Sequence, residues 1–191
     1  MNYLLPLLSV VLGYIFALVI RPKDKAKLKL LLAFSGSFLL SLTVIHLLPE
    51  IYESHNTRIG LFIMVGILFQ IILEYFSQGA EHGHVHGHSK MEHIPWLLFI
   101  SLCIHALAEG FPVGHHHDLA LGIAIHHLPI AIILTTFFIN SNLDKKAIFL
   151  FMVTFAIMTP LGTVISDYLP ILNAYYTEIT AIVIGILFHI S

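Results

Sequence analysis

The chain has 191 residues, of which 58% are hydrophobic and only 10% charged, with mean hydropathy +0.91. A soluble domain of this size carries about a quarter charged residues, so the polar surface of a water-facing globule is missing, and a soluble enzyme or a disordered chain is excluded. Nine Lys and Arg against eleven Asp and Glu leave no basic field to attract phosphate, which excludes a nucleic-acid partner. The single cysteine, Cys103, excludes a disulfide framework and a CxxC metal site. What remains is an integral membrane protein, with the lipid bilayer as its solvent and an unexplained excess of histidine, 14 in all.

A helical span needs roughly 20 mostly apolar residues. Such runs lie near 3–20, 30–49, 59–78, 94–113, 118–139, 147–166 and 171–191. They lack the alternating period of a membrane barrel, so their backbone amides must be satisfied within helices. The expected fold is all-α: a polytopic membrane helix bundle of seven spans, forming a single transmembrane domain over 1–191. The first run opens on Met1-Asn2-Tyr3 without the positive n-region of a secretion signal. Its positive charges follow it, which predicts an N-terminus outside the cell membrane.

Cytoplasmic loops collect Lys and Arg. In that orientation segments 21–29, 79–93 and 140–146 are cytoplasmic and hold Arg21, Lys23, Lys25, Lys27, Lys29, Lys90, Lys145 and Lys146, leaving only Arg58 outside. In the second run, His46 of Thr43-Val-Ile-His46-Leu-Leu-Pro49-Glu50 lies near the outer end and is a candidate to guide an ion inward. Glu74 lies near the inner end of the third run and is expected to reach water. The linker at 79–93 places His82, His84, His86 and His88 alternately with Gly or Val, a low-complexity, metal-prone pattern. Flexible imidazoles hold an ion weakly, so this loop is read as a metal gatherer or sensor. His115, His116, His117 and Asp118 form a short outer turn, a candidate collection point. The last run stops at Phe188-His189-Ile190-Ser191 without a polar tail, and a further helix is expected beyond it.

Ionisable groups at membrane depth are expensive and are functional candidates by default. The fourth run contains His105 and Glu109, four apart, which puts both on one helix face, one turn apart. An imidazole nitrogen and a carboxylate oxygen there can converge on one cation, and Zn²⁺ accepts both at about 2.0–2.2 Å. The fifth run places His126 and His127 near its middle, followed by Pro129. Adjacent helical residues point about 100° apart, so only one of the two easily faces the fourth run. Pro129 lacks an amide hydrogen and predicts a kink. A His–Glu pair could equally form a structural bond or a proton relay. Three buried histidines and one carboxylate on consecutive helices favour a metal.

At these residues the sequence resembles the ZIP (Zrt/Irt-like) family of divalent-metal transporters. His105-x-x-x-Glu109-Gly110 is similar to the signature of that family's fourth helix, and His126-His127-x-Pro129 to that of its fifth. Thr159-Pro160-Leu161-Gly162 resembles a motif of the sixth, and His46-Leu-Leu-Pro49-Glu50 the end of the second. The resemblance implies eight helices with both termini outside, so that one helix is missing here. It also implies a metal site between the fourth and fifth helices, with Zn²⁺ the usual cargo and Fe²⁺, Mn²⁺ or Cd²⁺ as variants. The sequence departs from the pattern at Ala106, Ile130 and Thr159, where members holding two metals often carry ligands. One main site is expected from His105, Glu109 and His126, with His127 a neighbouring or alternate ligand.

The function these features predict is uptake of a divalent metal, zinc first, toward the cytoplasm. The protein is then not an enzyme, and a homodimer is the candidate assembly. The alternative from another class is an intramembrane zinc-dependent hydrolase, with Glu109 as general base. Against it, the chain lacks the HExxH zinc-protease motif.

Overall fold

A computed structural model describes residues 3–22, 24–77, 94–114 and 116–190. The histidine-rich loop at 79–93 and His115 lie outside the described residues. Among the described residues all regular structure is helical. The helices are α1 (Leu4–Ile20), α2 (Lys25–Leu42), α3 (Leu48–Glu53), α4 (Ile59–Ser77), α5 (Trp96–Gly110), α6 (His117–Asn140), α7 (Lys145–Tyr168), α8 (Pro170–Ala174) and α9 (Tyr176–Ile190).

Four helical stretches are long and apolar enough to cross a membrane: Ala26–Glu53, Ile59–Ser77, Asp118–Asn140 and Lys145–Tyr168. Three further apolar helices, α1, α5 and α9, have 17, 15 and 15 residues. At 1.5 Å per residue these fall short of a hydrocarbon core about 30 Å thick. The seven predicted runs thus correspond to four full-length helices and three shorter ones. The last run differs most: 171–191 divides at Tyr175 into α8 and α9.

Pro129 lies inside α6, which continues as one helix across it. The ladder changes register at Pro49. Because Pro49 cannot donate to the carbonyl one turn back, α2 passes into α3 through a π turn over Thr43–Leu47, closed by Leu48 N–H donating to the Thr43 carbonyl. His46 sits in this turn and is exposed. At their starts, α2 and α7 are capped by aspartates. Asp24 accepts from the amides of Ala26 and Lys27, and Asp144 from those of Lys146 and Ala147.

Helix α6 is central. In its most apolar stretch 67% of residues are buried, against 22% for α4. Helix α4 accordingly turns Leu61, Met64, Leu68, Ile71, Ile72 and Tyr75 outward, an apolar face suited to lipid tails. Helices α1, α2 and α7 pack on α6, α5 packs on α7, and α4 on α9. Two apolar clusters result. One joins α3 and the starts of α4 and α6 to α9 through Leu47, Ile51, Ile63, Val113, Leu119, Ile123 and Ile184. The other joins α5, the second half of α6 and α7 through Leu102, Ile130, Leu134, Phe138, Phe151 and Phe155. The end of the bundle bearing α3 is called upper below, and the end bearing the start of α7 lower.

Two crossings are close enough to bring backbones together. A Cβ on Gly110 would strike the Thr159 carbonyl and one on Gly162 the Leu107 carbonyl, so α5 and α7 touch there. Gly66 and Gly185 meet in the same way between α4 and α9. Small residues permit such approach where lipid gives helices no hydrophobic drive to associate. Overpacking of this kind costs about 1–3 kcal/mol. Gly162→Ala and Gly185→Ala are therefore expected to lower the thermal unfolding temperature in detergent by several degrees. Gly60→Ala, with nothing within 4 Å of the added carbon, should leave it unchanged or slightly raised. Equal effects at all three positions would contradict this packing.

Candidate metal centre

On α5 the buried residues are Leu98, Ser101, Leu102, His105, Ala106, Glu109 and Gly110, a stripe at helical spacing. His105 and Glu109 are the polar turns of a face that is otherwise core. On α6 the buried pair His126 and His127 interrupts an apolar sequence in the middle of the helix. All four side chains are fully enclosed, at 0%, 0%, 1% and 1% exposure in chain order. Along α6 the histidine pair lies between Ile123 of the upper apolar cluster and Ile130 of the lower.

The Glu109 carboxylate stands between two imidazoles. Its Oε2 accepts a hydrogen bond from His127 Nε2 at 2.8 Å. Its Oε1 lies 3.2 Å from His105 Nε2, an electrostatic contact off the hydrogen-bond line. Oε1 accepts no aligned hydrogen bond among the described residues. His127 also stacks obliquely on Phe155, centroids 5.3 Å apart, in the lower cluster. The neighbouring positions Ala106 and Ile130 are packed into that cluster as well.

His126 takes a different direction. Its Nδ1 faces Ser35 Oγ of α2 at 3.5 Å, and its ring centroid lies 6.3 Å from that of His127. The structure thus brings His105, Glu109 and His127 together, with His127 rather than His126 touching the carboxylate. The 100° angle between helical neighbours forces such a choice, but sequence alone does not say which histidine faces α5. As they stand, the three groups form a row held by one hydrogen bond, His127 to Glu109, and one electrostatic contact, His105 to Glu109. Among the described residues no three His, Cys, Asp or Glu side chains are placed so that they could hold a metal ion as they stand.

The surroundings add groups that sequence reading passed over. Ser35 is wholly buried in α2 and carries the contact to His126. The Thr163 hydroxyl donates to the Gly110 carbonyl at 2.9 Å, fixing the end of α5 against α7. The Ser9 hydroxyl donates to the Ala124 carbonyl, tying α1 to α6 just before the histidine pair. Small hydroxyls inside apolar runs are the signal that could have found them. Elsewhere, Glu74 does not simply reach water. It pairs with His189 at 2.5 Å, joining the lower ends of α4 and α9. His116 pairs with Glu50 at the upper end.

The chain is similar to the zinc transporter ZIP1 of Danio rerio, 28% identical over 89 residues. That match takes in 44% of this chain and 30% of the relative, so the similarity spans less than a third of the relative's length. No protein-family model and no solved structure matches the chain.

Removing the carboxylate takes the acceptor from the buried His127 N–H, at about 1–3 kcal/mol, and also removes the electrostatic contact to His105. In the presence of a chelator, Glu109→Ala should lower the unfolding temperature more than His126→Ala, since Glu109 serves two imidazoles. A larger drop for His126→Ala would contradict the pairing.

Proposed function

We propose that the chain is a multi-pass membrane transporter. In this reading it carries a divalent metal ion, zinc first, toward the cytoplasm through the buried group between α5 and α6. The observation that carries the reading is a fully enclosed carboxylate flanked by imidazoles from two neighbouring apolar helices. Such groups at membrane depth mark ion pathways. The likeness to a zinc transporter supports the same cargo.

The ligands are His105, Glu109 and His127. A cation satisfies Glu109 Oε1 and replaces the two imidazole contacts with shorter bonds of about 2.0–2.2 Å. Two ligand atoms of a tetrahedral site stand about 3.4 Å apart, so the side chains spread by a few tenths of an ångström to admit the ion, and a mixed N/O set suits Zn²⁺. His126, held toward Ser35, is one residue away and serves as an alternate ligand as the ion moves. Ala106 and Ile130 offer a second ion nothing to bind, which favours one ion at a time.

Passage requires the clusters to part in turn. The upper one, around Leu47, Val113, Leu119 and Ile184, closes the path from outside. The lower one, around Phe138, Phe151 and Phe155, closes it from the cytoplasm. Charge sets the direction. The described upper end carries Glu50, Glu53, Asp118, Asp167 and Glu178 against Arg58, whereas at the lower end Arg21, Lys27, Lys29, Lys145 and Lys146 outnumber Asp24, Glu74 and Asp144. Basic segments stay cytoplasmic, so the acidic end faces outward and draws cations to it.

Zinc flux into liposomes bearing the purified protein is the direct test. His105→Ala with Glu109→Ala should abolish it, and His127→Ala should reduce metal affinity on the order of tenfold or more, with a smaller loss for His126→Ala. Unchanged flux in the double variant overturns the reading. Metal binding needs neutral imidazoles and an ionised carboxylate, so protons compete with the ion. Flux should therefore fall on acidification. A rise on acidification would contradict these ligands.

A further inference from the structure

Above the buried group, three elements bring a nitrogen and two oxygens to one point. His116 precedes α6, Glu50 lies on α3 and Tyr176 opens α9. His116 Nε2 stands 3.1 Å from Glu50 Oε2 and 2.9 Å from the Tyr176 hydroxyl. A single ring nitrogen offers one proton or one lone pair, yet two oxygens approach it, and the carboxylate can only accept. The Tyr176 hydroxyl is hydrogen-bonded to Nε2, and the Glu50 carboxylate stands beside the same nitrogen at ion-pair distance. We propose that His116, Glu50 and Tyr176 form a second divalent-cation site, a receiving station at the upper mouth.

A cation beside His116 Nε2 would take that nitrogen and a Glu50 oxygen as ligands, with the Tyr176 hydroxyl oxygen next to them. Imidazole nitrogen with carboxylate oxygen is a donor pair for Zn²⁺ or another borderline divalent ion. The site is reachable: the His116 side chain is 19% exposed and that of Glu50 43%. It stands in the acidic field of the upper end, where Asn56 donates to Glu178 at 3.0 Å and holds a further carboxylate on the first turn of α9. Such a field raises the local concentration of cations.

The site also rests on the upper apolar plug. Ile51 follows Glu50, Val113 lies three residues before His116, and Ala181 lies one turn and a half beyond Tyr176, all buried in that cluster. An ion bound here thus waits over the barrier to the deep group, held by the same three elements that form the barrier. The choice of ion rests on the transport reading; the site does not.

The test is zinc binding by the full chain in detergent, independent of flux. The parent protein carries serine at positions 82, 84, 86 and 88 together with His105→Ala and Glu109→Ala, which silences the loop and the deep group. It should retain one Zn²⁺ per chain. Adding the isosteric Glu50→Gln, or His116→Ala, should weaken that binding at least about tenfold, and Tyr176→Phe by a few-fold. The proposal is overturned if the parent binds no zinc or if Glu50→Gln leaves the affinity unchanged. It is equally overturned if only His116→Ala weakens binding, which would place the ion on the turn histidines alone. Failure of flux in the unmodified protein, with these binding results intact, would sink the transport reading and leave this site standing.

Discussion

A carboxylate enclosed in an apolar bundle is the constraint to which the rest of this structure answers. An unpaired charge there would face a large desolvation penalty. Glu109 meets it with His105 one turn back on its own helix and His127 on the next. The imidazoles are weak, adjustable partners, unlike the fixed charge of Lys or Arg. A row of this kind can give up its internal contacts to a cation and recover them afterwards. A site made too favourable with the ion, or too favourable without it, would stop turnover.

The packing protects that balance. Glycines at 110 and 162 let α5 and α7 approach to backbone contact beside Glu109, while Thr163 pins the α5 carbonyl that follows it. Ser9 ties α1 to α6 just ahead of the histidines. Aliphatic and aromatic side chains pack in one cluster toward the upper end and another toward the lower. Polar contacts join the elements at the two ends, His116 with Glu50 and Tyr176, and His189 with Glu74.

Much of this was legible in the sequence because the bilayer imposes simple rules. Long apolar runs gave the helices, and polar residues inside them stood out as exceptions. The spacing of His105 and Glu109 fixed a shared face with no knowledge of neighbours. The choice between His126 and His127 was not legible, since it depends on how α6 is rotated against α5 and α2, a property of packing. Helix ends were also poorly resolved. The run read over 171–191 passes over the break at Tyr175, where Asn173, Thr177 and Glu178 interrupt its apolar residues. The pairing of Glu74 with His189 joins residues 115 apart, and no local pattern announces it.

The central claim is that His105, Glu109 and His127 together hold a bare cation inside the bundle. Anomalous X-ray scattering at the zinc edge, from crystals grown with Zn²⁺, measures this directly. The account predicts a peak between α5 and α6, about 2.0–2.2 Å from His105 Nε2, a Glu109 oxygen and His127 Nε2. Zinc found only at the bundle ends, with Glu109 still hydrogen-bonded to His127, would contradict it.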